Sequence, residues 1–308
     1  MGLSVSLLSP AFARSLAGKW SPVLDDALRF LRCPHCSAEL AHADSTLRCH
    51  TGHAFDIARQ GYVSLMPSDG RPDLGDSAAM VESRAAFLAA AHYANVAEEV
   101  AQAVSAAVSA STDGCVIDVG AGTGYYLAAA LRRLPGRVGV ALDASKFALR
   151  RAAKAHPRIG AVACDIWRSL PVADGVADAA INVFAPRNGA ELRRVLGPGG
   201  LLLVVTPNRD HLSELTGQLG LLTVDRRKEE RLTERLRPYF DLAERVEHHS
   251  VVSLRRADAA AAVAMGPSAW HLDTSVLSEQ VMKLPDPIEA TVSVTHSTFR
   301  ADRGRAQR

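Results

Sequence analysis

The chain has 308 residues, 48% of them hydrophobic and 22% charged, so it is long enough for two domains and can bury a sizeable core, which excludes a disordered or fibrous polypeptide. A formal charge of +2 provides no global field toward nucleic acid, so any basic surface has to be local. The five cysteines are an odd set with a cluster of three, which does not fit a secreted disulfide framework, and no run approaches the roughly 20 apolar residues of a membrane span.

Residues 1–24 begin MGLSVSLLSPAFARS, a short apolar stretch that lacks the positively charged start of a signal peptide and matches a myristoylation pattern only loosely. A disordered extension is expected there. Then comes RCPHCSAELAHADSTLRCHTGH, which reads Cys33-x2-Cys36-x12-Cys49-x3-His53. Pro34 and His35 sit in the first pair, where a tight turn can aim two sulfurs at one point, and Gly52 lets the backbone bend the histidine back toward the third thiolate. Cys33, Cys36, Cys49 and His53 are the ligand types and number that a structural Zn²⁺ takes. Four ligands close the shell and leave no place for a reactive water, so the metal is expected to fold a module, residues 25–72, too small for its own core. His35, His42 and His50 are then bystanders; the alternative is a set of unpaired buried cysteines.

Gly61 to Leu65 alternates as a strand would, and is expected to complete this module, with the Pro-, Asp- and Gly-rich run Pro67 to Asp76 as a connecting loop. From Ser77 to about Ser111, Met80, Phe87, Leu88, Ala91, Val96 and Val100 recur mainly three and four apart, so residues 73–112 are expected as a helical linker.

In GCVIDVGAGTGYYLAAALRRL an apolar strand runs into a glycine turn, and a helix starts directly after it. A dinucleotide fingerprint would need glycine where Tyr125 stands. The pattern Asp118-x-Gly120-x-Gly122-x-Gly124 instead resembles motif I of class I methyltransferases that use S-adenosyl-L-methionine. That resemblance implies an α/β, Rossmann-like methyltransferase domain over residues 113–308, with Asp118, Gly120, Gly122, Thr123 and Gly124 at the cofactor. The segments RVGVALDAS and GAVACDIW follow, with Asp143 and Asp165 where a doubly wound sheet presents its ligand-facing edge. By the same resemblance Asp143 would bond the ribose hydroxyls and Asp165 would lie near the adenine amino group. Otherwise Asp143 is an N-cap and Asp165 a turn residue. VADAAINVFAP and GGLLLVVTP supply two further strands, and the alternating segments near Val251 and in ATVSVTHSTF can finish the sheet.

LRCPHC, LRCHTGHAFDIARQGYVSLM, AHYANV, VIDVGAGTGYY, NVFAPRN, GPGGLLLVVTP, HLSEL and VAMGPSAWH, in this order, resemble the bacterial 23S rRNA (guanine-N1)-methyltransferases. They are most similar to the branch that includes the tylosin-resistance methyltransferase of actinomycetes, over about Leu31 to Phe299. The resemblance implies a zinc ribbon for rRNA recognition, a catalytic domain binding S-adenosyl-L-methionine, and cofactor contacts from Tyr93 and His211. It also implies methylation of N1 of a guanine in a 23S rRNA hairpin near the peptide exit tunnel, with a contribution to tylosin-type macrolide resistance. One departure is Ala91, where relatives often have glycine before the His-Tyr pair.

Local basic stretches fit an RNA partner. Lys146, Arg150, Arg151, Lys154 and Arg158 lie together without an acid; Arg226, Arg227, Lys228, Arg231, Arg235 and Arg237 lie among four, and the zinc module adds Arg32, Arg48 and Arg59. The other reading is a solvated helix face, and for the first stretch taken alone the two readings are equal. Because N1 is on the Watson–Crick edge, a paired guanine must be unpaired or flipped to react. The sequence names no general base; Asn182, to orient the base, and Phe184, to stack on it, are the catalytic candidates, with Phe184 as plain core the other reading. The rival functions are a small-molecule methyltransferase and a non-catalytic RNA-binding protein that keeps the fold. A cytoplasmic location without membrane attachment is expected, while the choice between monomer and homodimer is left open.

Overall fold

A computed structural model describes residues 22–67, 75–108, 114–219, 234–266 and 279–301. Residues 1–21 of the extension expected over residues 1–24, most of the loop after Pro67, and Arg226, Arg227, Lys228 and Arg231 lie outside the described residues, while the last three residues of that extension, 22–24, begin a helix and Leu24 is buried.

Helix α1 (Pro22–Leu28) leads into a small antiparallel sheet of β1 (Ala41–Ala43), β2 (Thr46–Arg48) and β3 (Ala54–Asp56). Next come β4 (Tyr62–Ser64) and helices α2 (Ala78–Ala89) and α3 (Ala94–Ala107). The alternating part consists of β5 (Cys115–Val119), α4 (Tyr125–Arg133), β6 (Val138–Asp143), α5 (Lys146–Ala155) and β7 (Ile159–Ala163). It continues with β8 (Ala177–Val183), α6 (Gly189–Val195), β9 (Leu196–Pro207) and α7 (Ser213–Leu219). The long strands β10 (Phe240–Leu254) and β11 (Ile288–Ala301) flank α8 (Arg256–Ala264).

Eight strands form one sheet in the order β10-β11-β9-β8-β5-β6-β7-β4. Those from β9 to β4 are parallel, and β11 and β10 add an antiparallel edge. The chain runs outward from β5 to β7 and then returns to β8 on the other side of β5. The topological switch point, where open α/β sheets hold ligands, therefore lies between the carboxyl ends of β5 and β8. Strands β5 and β7 are apolar almost throughout because side chains on both faces are covered. One face packs on Phe87, Val100 and Leu127, and the other on Leu31, Leu47, Ile57 and Val63.

Two local expectations change. Strand β4 pairs in parallel with β7 at the edge of the large sheet, and meets the metal module through the bridge between Ile57 and Val63 and a shared apolar cluster with Leu47 and Phe55. There the buried Val63 and Leu65 find an apolar face that a module of three-residue strands cannot offer. Further ties join the module to the sheet: the Arg32 N–H donates to the Pro171 carbonyl (3.0 Å) and the Ala173 N–H to that of Phe30 (2.8 Å). The expected helical linker is two helices, not one, broken at Ala91, whose φ of 63° is left-handed. A glycine would adopt that φ without the steric strain that an L side chain carries there. Ser77 caps α2 by accepting the Met80 N–H, at 3.3 Å. Among the described residues, no helix is long and apolar enough to cross a membrane.

Candidate metal centre and cofactor crevice

Cys33, Cys36, Cys49 and His53 converge, with one possible ligand atom from each lying within 4.8 Å of all the others. Bonds of about 2.3 Å to sulfur and 2.0–2.1 Å to nitrogen give a tetrahedral zinc ligand edges of about 3.8 Å between sulfurs and about 3.5 Å between sulfur and nitrogen. The observed edges are 3.8 Å for Cys36 to Cys49, 3.5 Å for Cys33 to His53 Nδ1 and 3.4 Å for Cys49 to His53 Nδ1. The donors therefore fit a structural Zn²⁺. His35 packs its ring on His53 and Phe55, and His42 lies 3.4 Å from Asp25, so neither belongs to the shell.

At the switch point, Gly120, Gly122 and Gly124 all have positive φ, of 78°, 54° and 77°. At Gly120 a side chain would also collide with Ala185, its Cβ falling 2.4 Å from that of the alanine. Gly122 is buried under the Arg84 side chain, whose nearest atom would lie 3.6 Å from an added Cβ, an ordinary contact distance that leaves no clash with backbone. Thr123 between them is half-buried. Asp143 accepts the Gly122 N–H (2.8 Å) on one oxygen and the Ser145 N–H (2.7 Å) on the other, which fixes the carboxylate at the loop. It is not the N-cap of α5: that is Ser145, which accepts the Ala148 N–H. Asp165 accepts the Trp167 N–H at 2.9 Å and lies 3.5 Å from Arg168, so it closes a turn that leaves the Trp167 ring exposed beside it. Asp118 is buried in β5, and one of its oxygens has no hydrogen-bond partner among the described residues. Burial, reinforced by Asp143, raises its carboxyl to about 8, so it is largely protonated at neutral pH.

Tyr93 and His211, 118 residues apart, meet at 2.8 Å between the hydroxyl and Nε2. The Ser293 N–H donates to His211 Nδ1 at 3.2 Å, so the ring proton is on Nε2 and is donated to the Tyr93 oxygen. Burial lowers His211 to about 4 and raises the Tyr93 hydroxyl well above its usual range. The pair is therefore neutral, and Tyr93 keeps its own O–H to donate. Phe184 stands against both rings, with centroids 5.9 Å from Tyr93 and 5.6 Å from His211. It is 39% exposed with a φ of 52°, which removes the plain-core reading. Asn182 is fully buried and spends both amide hydrogens on backbone carbonyls, Val119 at 3.0 Å and Pro186 at 2.9 Å. It ties the ends of β5 and β8 together and presents Phe184, rather than reaching into the crevice itself.

Sequence reasoning missed Arg84, which pairs with Asp76, donates to the Met265 carbonyl (2.8 Å) and overhangs Gly122. No local signal marks it, since its partners come from a loop and a distant helix end. Of the basic groups, Lys146, Arg151 and Lys154 are exposed on α5, and Arg48 and Arg59 on the metal module. Arg158 instead holds the carbonyls of Leu131, Leu134 and Arg137, which removes it from any phosphate face.

The zinc-ribbon family described as RlmA, N-terminal, matches residues 31–71, and the family described as Methyltransferase domain matches residues 116–200. The 23S rRNA (guanine(748)-N(1))-methyltransferase of Streptomyces fradiae is 47% identical over 277 residues, covering 89% of this chain and 98% of the relative. A candidate 23S rRNA (guanine-N(1)-)-methyltransferase of Micromonospora griseorubida is 47% identical over 291 residues, with the same coverage of 89% and 98%. Among solved structures, the YcgJ protein of Bacillus subtilis covers 67% of this chain and 99% of its own, at 12% identity and a TM-score of 0.46. With both modules matched in order and such coverage, the chain belongs to the family of 23S rRNA (guanine-N1)-methyltransferases that carry an RlmA-type zinc ribbon.

Proposed function

We infer that this protein transfers a methyl group from S-adenosyl-L-methionine to N1 of a guanine in 23S rRNA, in the cytoplasm. The observation that carries the reading is 47% identity extending over 98% of the S. fradiae relative, through the zinc ribbon as well as the catalytic domain. Its finer form is that the target is the guanine corresponding to position 748 in that relative's name, in a hairpin near the peptide exit tunnel, and that its methylation contributes to tylosin-type resistance.

When bound, the cofactor supplies an activated methyl on a sulfonium centre. The chain's own residues bind and orient. The glycine turn from Gly120 to Gly124, with Thr123, allows close approach, its N–H groups at Gly120, Ala121, Gly122 and Gly124 being held by Leu142, Asp143 and Ala121, and Asp143 keeps lone pairs for ribose hydroxyls. Asp165 and Trp167 border the adenine end. Phe184 offers its face to a flipped guanine, while Asn182 and the Tyr93–His211 pair hold that ring in place. With His211 neutral and donating, neither member of the pair takes the N1 proton, so positioning supplies most of the acceleration. The module of residues 25–72 grips the hairpin through Arg48 and Arg59, and Lys146, Arg151 and Lys154 provide a second basic face on the domain of residues 113–308. A homodimer fits the exposed Leu242, Val246 and Val251 on edge strand β10, and light scattering distinguishes it from a monomer.

Expression in a tylosin-sensitive host lacking its own enzyme tests the reading. Because N1-methylation blocks pairing, a reverse-transcriptase stop is expected at one guanine of the hairpin, with raised tylosin tolerance. Methylated product found only among small metabolites would favour a small-molecule methyltransferase. RNA binding without methyl transfer would favour a non-catalytic protein.

A further inference from the structure

Away from both sites, Glu99 of α3, His248 of β10 and His296 of β11 point at one another. In the β10–β11 register Val246 faces His296 and His248 faces Val294, so the two histidines are diagonal neighbours on one face of the hairpin. Their ring centroids are 4.5 Å apart. Glu99 reaches across from the helix, with one oxygen 2.8 Å from His248 Nδ1 and the other 3.5 Å from His296 Nε2.

A plain hydrogen-bonded network explains only half of this arrangement. His248 and Glu99 satisfy each other, but His296 Nε2 and the second Glu99 oxygen are buried without a hydrogen-bond partner. His296 is only 6% exposed, and its Nε2, 3.5 Å from Glu99, makes no hydrogen bond to it. An unpaired buried polar atom costs about 1–3 kcal/mol, and such atoms are normally satisfied. Here two face each other at a separation close to the roughly 3.3 Å edge that ligands bonded at about 2.0–2.1 Å span around a tetrahedral ion. A cavity of about 120 Å³ opens beside Glu99 and His248, bordered also by Asn95, His249, Ser250 and Val292, with room for water as a further ligand.

We propose that Glu99, His248 and His296 form a second metal site, for a divalent cation of the zinc type, that pins α3 to the β10–β11 hairpin. Two imidazoles and one carboxylate suit Zn²⁺ and Co²⁺, whereas Mg²⁺ and Ca²⁺ prefer oxygen shells. Glu99 comes from the helix whose N-cap is Tyr93, and Ser293, which holds His211, lies between the cavity-lining Val292 and Val294. The site therefore braces the elements that hold the Tyr93–His211 pair without touching the crevice.

Full-length protein with its ribbon zinc in place is titrated with Co²⁺ and followed by absorption. One equivalent should bind with ligand-field bands and no thiolate charge-transfer band. His248→Asn, at a half-exposed position that tolerates change, and Glu99→Gln should weaken that binding at least tenfold, and saturating Zn²⁺ should raise the Tm of the parent only. No uptake, uptake that brings a thiolate band, or undiminished uptake by both variants would overturn the site.

Discussion

Between Cys33 and His53 the strands are three residues long, whereas β5 to β7, which support the glycine turn, are five or six residues long and almost wholly buried. The first region has little apolar surface to bury on its own, and a structural zinc is worth about 10–16 kcal/mol of apparent folding energy. The second has no covalent tie and relies on side chains worth about 1.5–3 kcal/mol each when buried. One region thus depends on four atoms and the other on many small contributions. The difference predicts concentrated fragility in the ribbon and graded tolerance in the sheet, and the contacts of Arg32, Ala173 and β4 set how far damage passes between them.

The largest effect is expected from Cys36→Ala. Losing one of four ligands should release the metal, lower the Tm and weaken hairpin RNA binding by about 100-fold or more, since the ribbon's fold is its binding energy. Cofactor affinity should fall by less than about tenfold, because the crevice is carried by the hydrophobic sheet and by Arg84, whose partners Asp76 and Met265 lie outside the ribbon. Metal analysis and calorimetry check both halves. Stoichiometric zinc in the variant would remove Cys36 from the shell, and complete loss of cofactor binding would mean that the two regions fold as one.

Gly122→Val tests the other region. With φ at 54° a β-branched residue there costs about 1–3 kcal/mol of strain, yet no neighbour is closer than Arg84 at 3.6 Å from an added Cβ, so the fold should survive with a lower Tm. Cofactor affinity should drop by about 100-fold, because the side chain occupies the space of the ligand, while zinc content stays at one equivalent in the ribbon. Binding unchanged by calorimetry would show that the ligand does not approach this turn.

These two regions were legible in the sequence for different reasons. Cys33-x2-Cys36 and Cys49-x3-His53 are local pairs whose spacing already limits where the sulfurs can go, and Gly120, Gly122 and Gly124 mark a turn that only positive φ allows. The parallel strands were legible as apolar runs. What could not be read is where distant segments meet: β4 leaving its module for β7, the Tyr93–His211 contact, Arg84 over the glycine turn, and Glu99 with His248 and His296. The break at Ala91 was hidden because its left-handed φ falls on a residue of high helix propensity, and the helical spacing of its neighbours runs through it. Asn182 was placed at the right strand end, but its role depends on the carbonyls of Val119 and Pro186, which sequence does not bring together.

The last effect concerns Asp118, touches neither metal nor ligand affinity, and has a sign opposite to that of the other two. Burial first, and Asp143 second, raise this carboxyl from its ordinary 3.8 to about 8 in the folded chain. Below about pH 4 it is protonated in both folded and unfolded states and affects stability equally in each. Between pH 4 and 8 only the folded state keeps the proton, so stability falls as pH rises toward 8 and levels off above it. Asp118→Asn keeps the shape and removes the titration. The apo variant should therefore match the parent near pH 4 and exceed its Tm by a growing margin up to about pH 8, a difference that thermal melts across this range would read. The zinc ribbon shares the same core but holds no part of this carboxyl, so Cys36→Ala in the same background should lower both curves and leave their separation unchanged. A separation that is constant with pH in the parent background would mean that Asp118 is already ionised in the folded chain.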